Sequence, residues 1–372
     1  MTAVSTPESA ATVLKRCTNI VVKIGSSLLV GEAGLREEWL RSIAADISTW
    51  VARGDRVTIV SSGAVALGRP GHHRPLEMPD KQASAAVGQV YLSQAWQTAF
   101  ASLGLTVGQV LLTPADTEHR RRHLNARATL AALHTRQCIA VINENDTVAT
   151  DELRYGDNDQ LASRVAQMID ADCLLLLSDV PGLMTAPPSA ASDGQLVAWL
   201  DSIEDSTLAL AGPSGSEVGT GGMRSKLVAA QRATRAGAMV IIADGEPDHP
   251  LAALEAGGEA TVCASAMQPG RARRRWIAGM VGRDATVHID AGAVHALRNG
   301  KSLLAVGVEF FSEPFDVGDC LSIQDSSQHE IAVGLAGWSS ADLEAHADSG
   351  RSVKRRPLVH RDDLIVFDGG AT

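Results

Sequence analysis

"NIVVKIGSS", residues 19–27, sets the fold class. Ile20, Val21, Val22 and Ile24 form an apolar run without the alternation of a strand that shows one face to water. Such a run suits a strand covered on both faces, as in a parallel sheet. Gly25, Ser26 and Ser27 end it, and Lys23 lies inside it.

The same texture recurs along the chain. "RVTIVSS" (56–62), "TVGQVLL" (106–112), "CIAVIN" (138–143), "CLLLLSD" (173–179) and "AMVIIADG" (238–245) are short runs rich in Val, Ile or Leu. Helix-like segments separate them. "LREEWLRSIAADISTWVARG" (35–54) has apolar residues at Leu35, Trp39, Leu40, Ile43 and Ile47 and a closing Gly54. "GMRSKLVAAQRATRAGA" (222–238) is another. Alternation on this scale predicts an α/β fold with a mostly parallel sheet.

After about residue 265 the pattern changes. "QPGRARRRW" (268–276) is basic and contains Pro and Gly, as a linker would. Beyond it, "ATVHID", "CLSIQD" and "IAVGLAG" are short β-like runs among recurrent glycines, which predicts a small, mainly β domain. The expected organisation is a flexible lead-in over 1–18, a first domain over 19–266, a linker over 267–275 and a second domain over 276–372.

Composition bounds the partners. The chain has 372 residues, 45% hydrophobic, with a formal net charge of −10. That is a globular protein with ample core, and its charge argues against a general nucleic-acid binder. The tail from 271 onward is close to neutral, with 12 Lys and Arg against 14 Asp and Glu, so the basic run Arg271–Arg275 is a thin case for RNA. Five scattered cysteines without a CxxC pair read as buried thiols of a reducing compartment. With no stretch of membrane-span length, the expected location is the cytoplasm.

Polar clusters fall where strands end, and in an open parallel sheet that is where ligands bind. Lys23 beside Gly25 could face a phosphate; a lysine stem leaving a strand end is the structural alternative. In "SSGAVALG" (61–68), Ser62, Gly63 and Ala64 open a helix that could cradle an anion, or Ser62 could simply cap it. "GTGGMRSK" (219–226) is glycine-rich and leads into a helix bearing Lys226; it is not a Walker A motif, and a flexible loop is the alternative. "VINENDTVATDELRYGDNDQLAS" (141–163) carries Asn143–Asp146 and Asp157–Asp159. Turn and capping chemistry would explain one such cluster; two, beside two lysines, point to a site. Lysines, glycine turns and carboxylates, with no Ser-His-Asp order and no Cys/His cluster, are the equipment of phosphoryl transfer.

These stretches together, with "LLLLSDVPGL" (174–183), resemble the amino-acid kinase family. "RRRWIAG", "GKSLLAVGV", "VGDCLSI" and "VHRDDLIV" in the tail resemble a PUA domain. The resemblance implies a three-layer αβα sandwich followed by a small mainly β PUA domain. It implies ATP-dependent phosphorylation of the γ-carboxylate of L-glutamate, with Mg²⁺ carried by the nucleotide, as the entry step of proline synthesis inhibited by proline. It also implies a homo-oligomer, dimer or tetramer, and leaves room for channelling of the product to the next enzyme.

By the same resemblance Lys23 and Lys226 would act on the moving phosphoryl group, with Asp159 orienting them. Ser62, Gly63, Ala64, Asp146 and Asn158 would hold the amino acid. Ser178, Asp179 and Thr220, Gly221, Gly222, Met223, Arg224 and Ser225 would join both lysines around the nucleotide. The chain departs from the family's usual Thr at Ser178 and its usual aromatic at Met184. A competing member would take aspartate or N-acetylglutamate; Asp146 suits a free ammonium better than an acetylated amine.

Overall fold

The computed structural model describes residues 7–69, 76–148, 158–186, 194–211, 222–265, 284–349 and 357–367. The expected linker 267–275 lies outside them. Two compact units divide at Pro269 and Gly270.

In the first unit the strands are β1 (Asn19–Ile24), β2 (Val30–Gly31), β3 (Gly34–Leu35), β4 (Arg56–Ser61), β5 (Thr106–Leu112), β6 (Cys138–Glu144), β7 (Cys173–Ser178), β8 (Trp199–Leu200), β9 (Met239–Asp244) and β10 (Ala260–Cys263). All but the β2–β3 hairpin form one eight-stranded sheet in the order β5-β6-β4-β1-β7-β9-β10-β8. From β5 through β9 every pairing is parallel. The antiparallel partner β10 follows β9, with β8 beyond it. The carboxyl ends of β1, β4, β6, β7 and β9 therefore share one edge.

The inner runs, such as β1 and β7, became strands because helices cover both faces, while the edge strand β5 is only partly buried. On one face Ile20, Val22 and Ile24 pack with Trp39, Ile43, Trp50, Trp96 and Phe100. On the other Val21 packs with Leu161, Val165, Leu227 and Ala230. The expected helix 35–54 is Glu37–Ala52, because Leu35 pairs with Val30 in the hairpin. The expected helix 222–238 is Met223–Arg235, stopped short of Gly237, which has φ +101°.

One expectation is corrected. Within the expected flexible lead-in 1–18, Ala10–Arg16 is a helix capped by Ser9, and Ala10, Val13 and Leu14 are buried in the first core layer. Its apolar positions recur at helical spacing, so the helix gains stability only by packing them.

The second unit holds β11 (Ala285–Ile289), β12 (Val308–Phe311), β13 (Cys320–Gln324), β14 (Glu330–Leu335) and β15 (Leu364–Val366). They form a five-stranded sheet in the order β12-β11-β13-β14-β15, parallel only between β11 and β13. Its own core includes Val287, Ile289, Leu321, Ile323, Ala332 and Leu358.

Candidate active site

Lys23 occupies the fifth position of β1, where every side chain is buried. It lies on the face of Val21, so its stem runs through apolar surroundings before its ammonium reaches the carboxyl edge. Lys226 comes from a different element. In helix Met223–Arg235 it shares a buried stripe with Leu227, Ala230 and Ala233. A lysine in that stripe cannot turn to bulk water.

Both meet Asp159, in the first turn of helix Asn158–Met168. Lys23 Nζ lies 2.5 Å from Oδ1 and Lys226 Nζ 3.4 Å from Oδ2. Asp159 is 0% exposed, Lys23 5% and Lys226 6%. Burial pushes the Asp159 carboxyl upward, but the charges and hydrogen bonds of Lys23 and Lys226 outweigh it and hold it below its ordinary value.

Three buried charges are a poor way to stabilise a core, since desolvation costs several kcal/mol per ion and apolar residues often replace such groups without loss. Within this triad two cations face one anion, an arrangement suited to receiving an anionic ligand.

A Cβ on Gly25 would lie 3.9 Å from Lys23 Nζ and from Ser27 Oγ, in ordinary van der Waals contact, so the backbone after β1 sits directly beside the ammonium. Among the described residues no three His, Cys, Asp or Glu side chains gather as a metal-binding group. Asp159 itself is engaged by the two lysines.

Beside the triad runs a chain of amides. Asn158 Nδ2 donates to Ser62 Oγ at 2.7 Å and to Asn143 Oδ1 at 2.9 Å, with the Ser61 carbonyl at 3.4 Å. Asn143 Oδ1 also accepts from the Glu144 backbone N–H at 2.9 Å, and Asn143 Nδ2 donates to Gln89 Oε1 at 2.8 Å. Ser62 does not cap the following helix. Gly63 is its N-cap residue, at φ +110°, and a side chain there would be strained. Ala64 is the first helical residue and is buried. Asp146 is half-buried in the turn after β6.

Ser178 closes β7; its hydroxyl donates to Asp179 Oδ1 at 3.1 Å, and its carbonyl accepts from Gly245 N–H at 2.7 Å. Gly222 is the N-cap of the Lys226 helix and supplies no side-chain cap. Arg224 is exposed, with Nη1 3.5 Å from the Leu208 carbonyl. Ser225 offers its carbonyl to Gln160 at 3.4 Å. Met184 makes an isolated bridge with Leu196. Thr220, Gly221 and Asp157 lie outside the described residues.

Sequence comparison fits this geometry. Residues 19–244 match the model of the amino acid kinase family, and residues 285–358 match that of the PUA domain.

The chain belongs to the amino acid kinase family.

Similar proteins match at nearly full length. "Glutamate 5-kinase 1" of Rhizobium meliloti (strain 1021) is 46% identical over 95% of this chain and 93% of its own. "Glutamate 5-kinase" of Rhodopseudomonas palustris (strain BisB5) is 46% identical over 93% of this chain and 96% of its own. Among solved structures, carbamate kinase from Giardia lamblia bound to AMP-PNP aligns over 67% of this chain and 99% of its own, with TM-score 0.48 and 16% identity.

Gln89 and Trp96 carry no local signal in the sequence. Trp96 Nε1 donates to Ser61 Oγ at 3.0 Å. Both lie on helix Met78–Ala101, whose apolar residues run all round it, so no pattern set these two apart. Asn143 lies in the polar run Asn143–Asp146, where nothing local separates it from its neighbours.

Proposed function

We propose that this amino acid kinase transfers the γ-phosphoryl group of ATP to the γ-carboxylate of L-glutamate, the entry step of proline synthesis. What carries the reading is the meeting of Lys23 and Lys226 on Asp159 in a chain 46% identical to a named glutamate 5-kinase.

The chemistry balances without a general base. A carboxylate oxygen of glutamate bonds to the γ-phosphorus while the bond to the β,γ-bridging oxygen breaks, giving γ-glutamyl phosphate and ADP. The attacking carboxyl has an ordinary pKa near ~4.3 and is already ionised at neutral pH. No proton must be removed, so the site needs alignment and positive charge.

Lys23 and Lys226 supply that charge as it spreads over the moving group, and Asp159 holds their ammonium ends together. Asp146 takes the substrate ammonium. Ser62 and Asn158 hold the amino acid, and Gly63 and Ala64 let it approach the backbone. The segment Thr220–Lys226, with Ser178 and Asp179, receives the nucleotide. Mg²⁺ bound with the nucleotide supplies charge neutralisation at phosphate oxygens. Proline, sharing the carboxylate and amine of glutamate, inhibits by competing for the same contacts. We further propose a cytoplasmic homo-oligomer, a dimer or tetramer, that passes its labile acyl phosphate to the next enzyme.

A coupled assay of ADP release with glutamate, aspartate and N-acetylglutamate tests the reading. Glutamate is expected to be preferred by at least about a hundredfold in kcat/KM. Equal turnover of either alternative rejects it. Asp146→Ala is expected to raise the glutamate KM by about tenfold or more while the nucleotide KM holds.

A further inference from the structure

We infer that Gln89 is a positioning residue for the amino-acid substrate: acting through Asn143, it fixes which way the Asn158 amide faces. The inference rests on the proposed glutamate kinase reading and adds a residue to it.

An amide has a donor end and an acceptor end, and a neighbour that accepts can tell them apart. Asn143 is 3% exposed, so its amide cannot rely on water. Its oxygen receives the Glu144 N–H and the Asn158 amide at 2.9 Å each. Its nitrogen donates to Gln89 Oε1 at 2.8 Å. Gln89 is the acceptor that makes this orientation complete. Turned over, Asn143 would set its N–H₂ against two donors.

The orientation propagates. Because Asn143 presents oxygen, Asn158 must present nitrogen to it, and that nitrogen also faces Ser62 Oγ and the Ser61 carbonyl. Asn158 Oδ1 is then the end turned away from these three groups, an acceptor for an ammonium. Ser62 Oγ, already accepting from Asn158, keeps its proton for a carboxylate. A glutamate backbone carries one of each.

Gln89 is held in place by its neighbours. A Cβ on Gly88 would lie 1.8 Å from the Ala64 carbonyl oxygen, and one on Gly68 would lie 1.9 Å from that of Ser84. The two helices therefore touch backbone to backbone beside Gln89. Further along the same helix, Trp96 donates to Ser61 Oγ at 3.0 Å. Helix Met78–Ala101 thus grips the Ser61–Ala64 turn on both sides of Gln89.

The test uses the full chain and separates KM from kcat. Gln89→Leu removes the acceptor at similar size; Gln89→Glu keeps it. Gln89→Leu is expected to raise the glutamate KM by about tenfold, with kcat and the MgATP KM within about twofold of the parent. Gln89→Glu is expected to stay within about threefold in glutamate KM. In an Asn143→Ala background, Gln89→Leu is expected to add no further change, since the relay is already broken. Thermal melts accompany each variant, and Gln89→Ala is read in place of any leucine variant that fails to fold.

An unchanged glutamate KM in Gln89→Leu, an equal defect in Gln89→Glu, or full additivity with Asn143→Ala overturns the inference while the kinase reading stands. A parent chain that releases no glutamate-dependent ADP overturns both.

Discussion

Lys226 and Asp159 show how a single residue is put to use. Lys226 sits in a buried helical stripe where an apolar side chain would pack more favourably, and its charge is held by a carboxylate with no exposure. Its value then lies in the reaction. Lys226→Ala is expected to lower kcat by about 10²–10⁴, because the lost charge acts mainly while the phosphoryl group is in transit. Asp159 keeps Lys23 as its partner at 2.5 Å, so the fold survives. Steady-state kinetics beside a thermal melt checks this. A folded variant with normal kcat would remove Lys226 from the mechanism; an unfolded one would show that the fold depends on this ion pair.

At the scale of elements, contacts between helices and strands set the site's shape. The crossing of helix Ala64–Gly68 with helix Met78–Ala101 depends on bare backbone at Gly68 and Gly88. Gly88→Ala forces them apart. It is expected to cost about 1–3 kcal/mol in chemical denaturation and to raise the glutamate KM with it, because the Ser61–Ala64 turn shifts.

A second junction carries pH dependence. Thr58 Oγ1 and His134 Nε2, 2.9 Å apart, tie helix Arg120–Thr135 to β4. Burial pushes the His134 ring down to about 4, and the Arg56 charge adds to it. The fold thus favours the neutral ring. Its contribution is complete above the ordinary value of 6.5, fades as pH falls toward about 4, and changes no further below that. The ceiling is about 3 kcal/mol, less what solvent screens. His134→Gln is expected to flatten the fall in melting temperature across that window. Parallel curves for parent and variant would show that the ring does not set this dependence.

For the whole molecule, the two units have separate cores. Trp39, Trp50, Trp96 and Phe100 belong to the first, Phe315 and Trp338 to the second. Separate cores imply separate unfolding. Calorimetry of the full chain is expected to resolve two transitions, and glutamate with MgATP to raise only one of them, by about 2–4 kcal/mol at saturating ligand. A single transition that moves as one would show that the units unfold together.

Local pattern was enough for much of this. Unalternated runs such as "NIVVKIG" marked β1, β4, β5, β6, β7 and β9, and the polar residues after them marked the carboxyl edge. Periodicity reports which faces of an element are dry, and that follows from neighbouring residues alone. The edge strand β8, the packed helix Ala10–Arg16 and helix Met78–Ala101 were harder to read: one is two residues long, one sits in an otherwise polar leader, and one is apolar on every side. Neighbouring residues alone specify a parallel sheet with charged and amide side chains at strand ends, and the kinase family that shares them. The meeting of Lys23 and Lys226 on one carboxylate, and the reach of Gln89 to Asn158 through Asn143, emerge only in the folded chain. Those pairings depend on strand order and helix crossing, and no short-range spacing encodes either.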